Sequence, residues 1–435
     1  MGKTVKHTRF AWVIAFVAAM ALAMPTVASA NEVTKWNEIA VNTVNAQPPV
    51  SSAPPAASIF VAMVHGAIYG AVNAVDRHGQ PYLVVRSFPK ASADAAAATA
   101  AFSVLDKLFP AQHATLQAAY DDSLSGIPEG DARETGIAVG TLAADAMLAE
   151  GHDGRVVIGC TFGSGLPGVW QPLAGPTGAP LCDPSPWVAN AKPFVLKSPS
   201  QFRTAGPLPL TSAAYAADVN EVKEIGSLNS TTRTVFQSHA AAYWQSSPTA
   251  NYNAIARRFV DQSSLDLSDS ARLFAMLNLT AADALINTWN DKYHYTFWRP
   301  ITAIRHPDDG NPATVTDAGW TPYFDPTRVP LPGETGPALI TPPYPDHSSG
   351  ATAYASASMA ALTTFFGTDE MTFYATSSRF PGEQRTFSRF SDLTNEVLEA
   401  RIWTGIHFRT ADVQAAKLGR DVERYISTHL FAAAH

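Results

Sequence analysis

The chain has 435 residues, 46% of them hydrophobic and 15% charged, which is ample apolar material for a large core and too little charge for a disordered chain. A formal charge of −7 offers no bulk attraction to nucleic acid or an anionic membrane. Two cysteines exclude a zinc ribbon or a cysteine-rich scaffold.

Lys3, Lys6 and Arg9 precede an apolar run from Ala11 to Met24, followed by Pro25 and Ala28-Ser29-Ala30. This order of charged, apolar and small residues predicts a secretory signal over residues 1–30, cleaved near Ala30. The run is shorter than the ~20 residues a spanning helix needs. No second stretch is expected to span a bilayer, so the mature chain is expected to be secreted or periplasmic. In that oxidising setting Cys160 and Cys182 are expected to pair.

Helical periodicity dominates the rest. Ser58 to Val75 is almost wholly apolar, as a buried helix would be. Asp94 to Leu108, Ala132 to Leu148 and Ser230 to Trp244 read as further helices. Ser268 is the expected N-cap of a long one, with Leu273, Leu277, Ala281, Ala284, Leu285 and Thr288 on its apolar face. Thr280, Asp283 and Asn287 form a polar stripe on that helix, of the kind usually solvated. Arg155 to Ile158 is β-like, but strands and helices do not alternate. The expected fold is all-α, built as helical bundles with long Pro/Gly-rich loops. The chain is expected to divide near residue 220, into an N-terminal half (31–220) and a C-terminal bundle (221–435).

Two long irregular stretches interrupt the helices. Cys160 to Leu210 holds ten prolines and both cysteines, and Pro322 to Pro345 holds eight prolines. Loops of this length are usually functional or disordered. Proline and the expected disulfide argue for order in the first. The second leads into a chemical motif and reads as a lid or pocket wall. Gly163-x-Gly165-x-x-Gly168 imitates a dinucleotide fingerprint, but Val169-Trp170-Gln171-Pro172 follows it where a helix is required.

Three segments share one chemistry. Lys292 ends the long helix and Arg299 follows seven residues later. Ser348-Ser349-Gly350 opens an apolar helix through Phe366. Arg401 lies near the end of a helix begun around Asp392, and His407 sits in the next turn. A helix start offers free amides and a positive dipole end. Glycine permits close approach of an oxyanion, and arginine and lysine supply donors and charge. Histidine in such a pocket can attack phosphorus or coordinate vanadium.

The pattern Lys-x6-Arg-Pro, then Ser-Gly at a helix start, then Arg-x5-His resembles the three-part signature of vanadium-dependent haloperoxidases. Type-2 phosphatidic acid phosphatases and bacterial acid phosphatases share it. The wording of Lys292-Tyr293-His294-Tyr295, of Phe297-Trp298-Arg299-Pro300 and of Gly405-Ile406-His407-Phe408 is similar to the haloperoxidase-like branch. So is Met63-Val64-His65-Gly66 through Ala71-Val72-Asn73-Ala74 upstream. The resemblance implies two helical bundles, with vanadate or phosphate bound in the C-terminal one. It implies that Lys292, Arg299, Ser349, Gly350 and Arg401 hold the oxyanion. His407 would be the apical vanadium ligand, or the nucleophile toward phosphorus. Asp412 would orient His407 through its other ring nitrogen.

The pattern breaks at one position. Ala351 stands where the family's second motif carries an acid–base histidine, a group typically worth ~10²–10⁴ in rate. His347, four residues earlier, is the remaining imidazole that could replace it. Three functions stay open. One is a vanadate-dependent peroxidase acting on peroxide and halide. Another is a phosphatase without cofactor, acting on phosphate esters through phospho-His407. The third is a weak or inactive oxyanion-binding homologue.

Overall fold

The computed structural model describes residues 1–2, 31–156, 159–160, 163–175 and 178–432. Residues 3–30 of the expected signal lie outside the described residues. The N-terminal half carries α1 (Glu32–Asn45), α2 (Pro49–Ser52), α3 (Pro54–Asp76), α4 (Ala93–Leu108), α5 (His113–Ser125) and α6 (Asp131–Ala149). After the long loop come α7 (Ala213–Ile225), α8 (Val235–Tyr243), α9 (Pro248–Ser263), α10 (Leu267–Tyr295) and α11 (Pro300–Arg305). The last elements are α12 (Gly350–Phe366), the hairpin β1 (Phe373–Ser377) and β2 (Phe380–Phe387), α13 (Phe390–Trp403) and α14 (Arg409–His429). The fold is all-α, with this two-stranded hairpin as the one sheet among the described residues.

The 29-residue α10 is the central element. It packs against α3 on the N-terminal side and against α12 and α14 on the C-terminal side. Its side chains from Ser270 to Thr288 are almost continuously buried, so it is apolar on most sides, as a central helix must be. Gly419 lets α14 lie close on α12. A methyl group there would stand 2.7 Å from the Ala357 amide and 2.8 Å from the Ala353 carbonyl. That contact fixes the separation of the two helices that open at the candidate site.

Several expectations are corrected. The α10 N-cap is Asp266, whose side chain accepts from the Asp269 amide at 2.8 Å. Ser268 lies inside the helix and donates to Asp76. The helix expected from Ser230 begins at Val235, because Thr234 and Gln237 form a reciprocal capping box. Ser230 instead caps a turn through the Arg233 amide. Arg155 and Val156 form no strand; Arg155 stacks on Phe60 and Phe109. At 23 residues and mean hydropathy 1.6, α3 is long and apolar enough to cross a membrane, against the expectation that no second stretch is; the whole of its most apolar window is buried in the bundle.

The polar stripe of α10 is the largest departure. It is buried, not solvated. Asp283 accepts the amides of Phe194, Val195 and Leu196 at 2.6, 2.9 and 2.9 Å. Asn287 accepts the Phe202 amide at 2.9 Å. One turn on, Asp291 takes Arg203 at 3.1 Å and the Thr204 hydroxyl at 2.7 Å. Positions i and i+4 of one helix face therefore hold the proline-rich loop by its backbone, and i+8 holds it by side chains and the Thr204 amide. Asp183 fastens an earlier part of that loop, accepting from Trp289 Nε1 at 3.0 Å and the Tyr293 hydroxyl at 2.8 Å. Cys160 and Cys182 are joined by a disulfide. The segment around Gly168 is not a nucleotide loop; Val169 pairs with Phe297 in an antiparallel bridge.

Two outcomes are expected from this loop. Non-reduced exported protein should yield the linked Cys160–Cys182 peptides by mass spectrometry, and Cys182→Ser should lose ~3 kcal/mol, the chain-entropy estimate for a closed loop of this size. Two freely alkylated thiols would contradict the bridge. Asp283→Asn should lower stability by about 1–3 kcal/mol, because its amide nitrogen would face backbone donors and leave them unpaired. It should also open residues 194–204 to proteolysis, and a Tm and digestion pattern equal to the parent's would remove Asp283 as the anchor.

Candidate functional site

The three cation-bearing segments meet where α10 ends and α12 and α14 begin. Lys292 is fully buried and donates from Nζ to the carbonyls of Pro345 and Asp346, each at 2.9 Å. Trp289 and Tyr344 flank the ammonium with ring centroids at 5.6 and 5.2 Å. Burial, then the neighbouring Arg299, pull its pKa well below the usual lysine value. Arg299 is N-cap of α11 and equally buried. It donates to the carbonyls of Tyr344 and Ile406, both at 2.8 Å, and its Nη2 has no partner. Arg401 ends α13 over the Phe324 ring, with Nε buried and unpartnered.

His407 is buried beside these cations. Arg299 Nη1 lies 3.1 Å from its Nε2. The same Nη1 lies 3.4 Å from Nδ1, so the guanidinium sits across both ring nitrogens. Nδ1 lies 2.8 Å from Asp346 Oδ1, a contact off the hydrogen-bond axis that leaves both Asp346 oxygens without an aligned donor. Burial, then Arg299, Lys292 and Arg401, push the His407 pKa well below its ordinary value. Both effects favour the neutral imidazole, the form that a ligand or nucleophile needs. Arg299 touches His407, and Gly350, Arg401 and His407 line one cavity, so the three segments share one place.

Ser349 is the N-cap of α12, although its side chain caps no amide there. Its amide donates to the Ala411 carbonyl at 3.1 Å and ties the start of α12 to α14. Its hydroxyl lies 3.4 Å from that of Thr352, which donates to Asp412 at 2.5 Å. The first-turn amides of α12 have no intrahelical acceptor. Gly350 meets a steric demand from the opposite direction to the one expected: a Cβ there would stand 2.7 Å from the Trp289 ring.

The carboxylates differ from the expectation. Asp412 sits on Thr352 and Ser349, and its carboxyl is pushed up to about 6 by burial, against those two hydrogen bonds. The carboxylate on His407 is Asp346, whose pKa burial raises to about 8 despite Arg299 and Lys292. Sequence reasoning passed over Asp346; its one signal was an acidic residue in the proline-rich run immediately before the Ser-Gly helix start. His347 points elsewhere. The Thr204 hydroxyl donates to Asp291 and accepts from His347 Nε2 at 2.9 Å. Tyr295 packs edge-on against that ring, and burial lowers its pKa to about 3.

A cavity of about 490 Å³ opens onto the site, lined by Gly350, Ala351, Arg401 and His407. The Pro322–Pro345 stretch supplies Phe324, Leu339 and Tyr344 to its wall, as a pocket wall was expected to do. His347 is absent from the lining, and Lys292, Arg299 and Ser349 stand behind it.

An oxyanion such as vanadate fits these residues by charge and by donors. Three buried cations would be unfavourable without an anion to share their field. Arg299 Nη2 and Arg401 Nε are donors with no acceptor in the protein.

Comparison with known proteins gives a consistent result. The family model for the second helical-bundle domain of VCPO matches residues 272–434. The vanadium chloroperoxidase of Curvularia inaequalis is 32% identical over 139 residues, 28% of this chain. The chain spans only 22% of that relative's length in the match. A bacterial vanadium-dependent iodoperoxidase superposes with a TM-score of 0.73 at 22% identity, covering 92% of this chain and 98% of its own. The holo form of a bacterial vanadium-dependent chloroperoxidase does so with a TM-score of 0.62 at 17% identity, covering 90% and 96%. The structural likenesses carry the fold and the sequence matches carry the C-terminal bundle. The Lys292, Ser349 and Arg401 segments that gather around His407 all fall within the residues that match the second helical-bundle domain of VCPO.

Proposed function

We propose that the protein is an exported vanadate-dependent peroxidase of the haloperoxidase type, oxidising halide with hydrogen peroxide. The observation that carries this reading is His407, buried against Arg299 and opening on one cavity with Arg401, where Arg299 Nη2 and Arg401 Nε have no acceptor. Vanadate, when bound, would supply the centre at which peroxide becomes reactive toward halide. Lys292, Arg299 and Arg401 would offset its charge, with the α12 amides at Gly350 and Ala351 as further donors. His407 would hold it through Nε2. Asp346 would keep the ring proton on Nδ1, as outer carboxylates do for ligating histidines.

A second reading follows from Ala351. Its methyl lines the cavity where the family's acid–base histidine is expected, and His347 is engaged with Thr204 on another side. That arrangement favours an oxyanion-binding homologue with weak turnover. Phosphoryl transfer through His407 asks for the same cations and is the third outcome of the test. Purified protein assayed with and without vanadate, for bromide oxidation and for phosphate-ester hydrolysis, separates the three. Vanadate-dependent bromide oxidation supports the proposal; hydrolysis inhibited by vanadate overturns it in favour of a phosphatase. Anion binding without either activity leaves the weak homologue.

Calorimetry with vanadate checks the site itself. Arg401→Ala should weaken binding by about 2–5 kcal/mol, as loss of one partner from a buried charge contact does. His407→Ala should retain part of the affinity through the three cations. Unchanged affinity in both variants would place the anion elsewhere.

Ala351→His tests the missing acid. It should raise turnover in the chemical step with little change in substrate affinity, because a group acting on a proton in transit adds little to ground-state binding. The cavity leaves room for the ring. If His347 already serves, His347→Ala alone abolishes activity and Ala351→His adds little. A folded, vanadate-binding Ala351→His protein with no gain would refute the missing-acid account.

A further inference from the structure

The helix that opens at the oxyanion site borders a second opening on its other side. Gly350, Ala351 and Tyr354 of α12 face the cavity beside His407. Ser356 follows Tyr354 by two residues, ~200° further round the helix. With Met359, Ala360 and Thr363 it lines a separate groove of about 440 Å³ between α12, α13 and α14. Thr394 and Asn395 of α13 and Arg420, Glu423 and Ser427 of α14 contribute its other walls. None of the residues lining this groove lines the first cavity.

Glu423 sets the groove apart from an ordinary solvated surface. It is 7% exposed, and its Oε1 has no hydrogen-bond partner among the described residues. Burial raises its pKa against the nearby hydroxyls of Thr364 and Ser427. Arg420 and Arg424 lie three residues before it and one after, yet neither closes an ion pair on it; Arg424 turns to Asp421 at 3.6 Å. The other acid of the groove, Asp369, is already engaged by the amide and hydroxyl of Ser391 at 2.9 and 2.6 Å. The Ser356 and Thr363 hydroxyls donate to the carbonyls of Ala416 and Met359. A buried carboxyl with an open oxygen is costly until a donor meets it. An ammonium suits it best, because it carries a charge and three donors, and the Thr394 and Ser427 hydroxyls can accept those that Glu423 does not. Arg420 and Arg424 disfavour a simple cation at the rim and favour a ligand that brings a carboxylate of its own. One helical turn, about 5–6 Å between side-chain roots, separates Glu423 from Arg420. Met359 and Ala360 give apolar surface for the methylenes that join the two charged ends.

We propose that this groove binds a dipolar ion with a terminal ammonium and a terminal carboxylate several methylenes apart, as in an ω-amino acid. The ammonium meets Glu423 and the carboxylate meets Arg420 and Arg424. The proposal does not depend on which reaction occurs at His407.

The probe is 4-aminobutanoate, titrated into the full chain by calorimetry beside butylamine and butanoate, which each carry one of its two charges. The expected result is saturable binding of 4-aminobutanoate, roughly tenfold or more tighter than either half. Glu423→Gln should weaken it by a similar factor. Arg420 and Arg424 are exposed, so the double variant Arg420→Ala/Arg424→Ala tests the site without disturbing the core. In it 4-aminobutanoate should weaken by roughly tenfold, whereas butylamine should bind no more weakly than to the parent. Vanadate affinity should be unchanged in both variants. Absence of saturable binding overturns the proposal, as does either half binding as tightly as the whole probe, or equal probe affinity in the parent and the arginine variant. Vanadate affinity that falls in step with probe affinity would place the probe in the oxyanion pocket and overturn it too.

Discussion

Three cations are held away from water within one small volume, and the surrounding structure is arranged to make that tolerable. Isolated buried charges are among the least favourable features a protein can carry. Lys292 is satisfied by two carbonyls, Arg299 by two more, and both lie against aromatic faces. Asp346 and Asp412 stand close by, with carboxyls that burial drives toward the neutral form. Carboxyls whose pKa is raised by burial cancel less of the cationic field than ordinary carboxylates would, so the site stays complementary to an anion. Burial first, and then the same field, lower the His407 pKa and favour the neutral imidazole that a ligand or nucleophile needs.

Holding those charges in place falls to α10. One face of it packs on α3, and another meets α12 and α14. The third, through Asp283, Asn287 and Asp291, grips the proline-rich loop. Lys292 is the next residue along the chain, so the lysine's position is set by a helix anchored on every side. Rigidity of this kind is what a preorganised electrostatic site needs, because donors that must move to meet an anion lose much of their advantage.

Ala351 joins the site to the cavity. A histidine there would bring acid–base chemistry and a polar wall. Alanine supplies neither, and its methyl lines the cavity together with Leu339, Tyr344 and His407. His347 does not replace the lost group in this arrangement, because a hydrogen-bonded chain through Thr204 and Asp291 engages it and it does not line the cavity.

The sequence by itself determined the all-helical class, most long helices and the three segments that converge. Helical periodicity and motif spacing are local properties, and they survive being read without coordinates. Local capping already exceeded that reach: Asp266 and Ser268 are both plausible caps, and the choice fell to Asp76, which takes the Ser268 hydroxyl from another helix. Tertiary structure alone decided the fate of Thr280, Asp283 and Asn287, because a polar stripe is solvated or buried according to what packs against it. It also decided that Asp346, not Asp412, touches His407, since a partner 61 residues away along the chain has no periodic signature. The role of Gly350 followed the same logic. Its sequence context pointed to an anion, but the atom that forbids a side chain there belongs to Trp289 on α10.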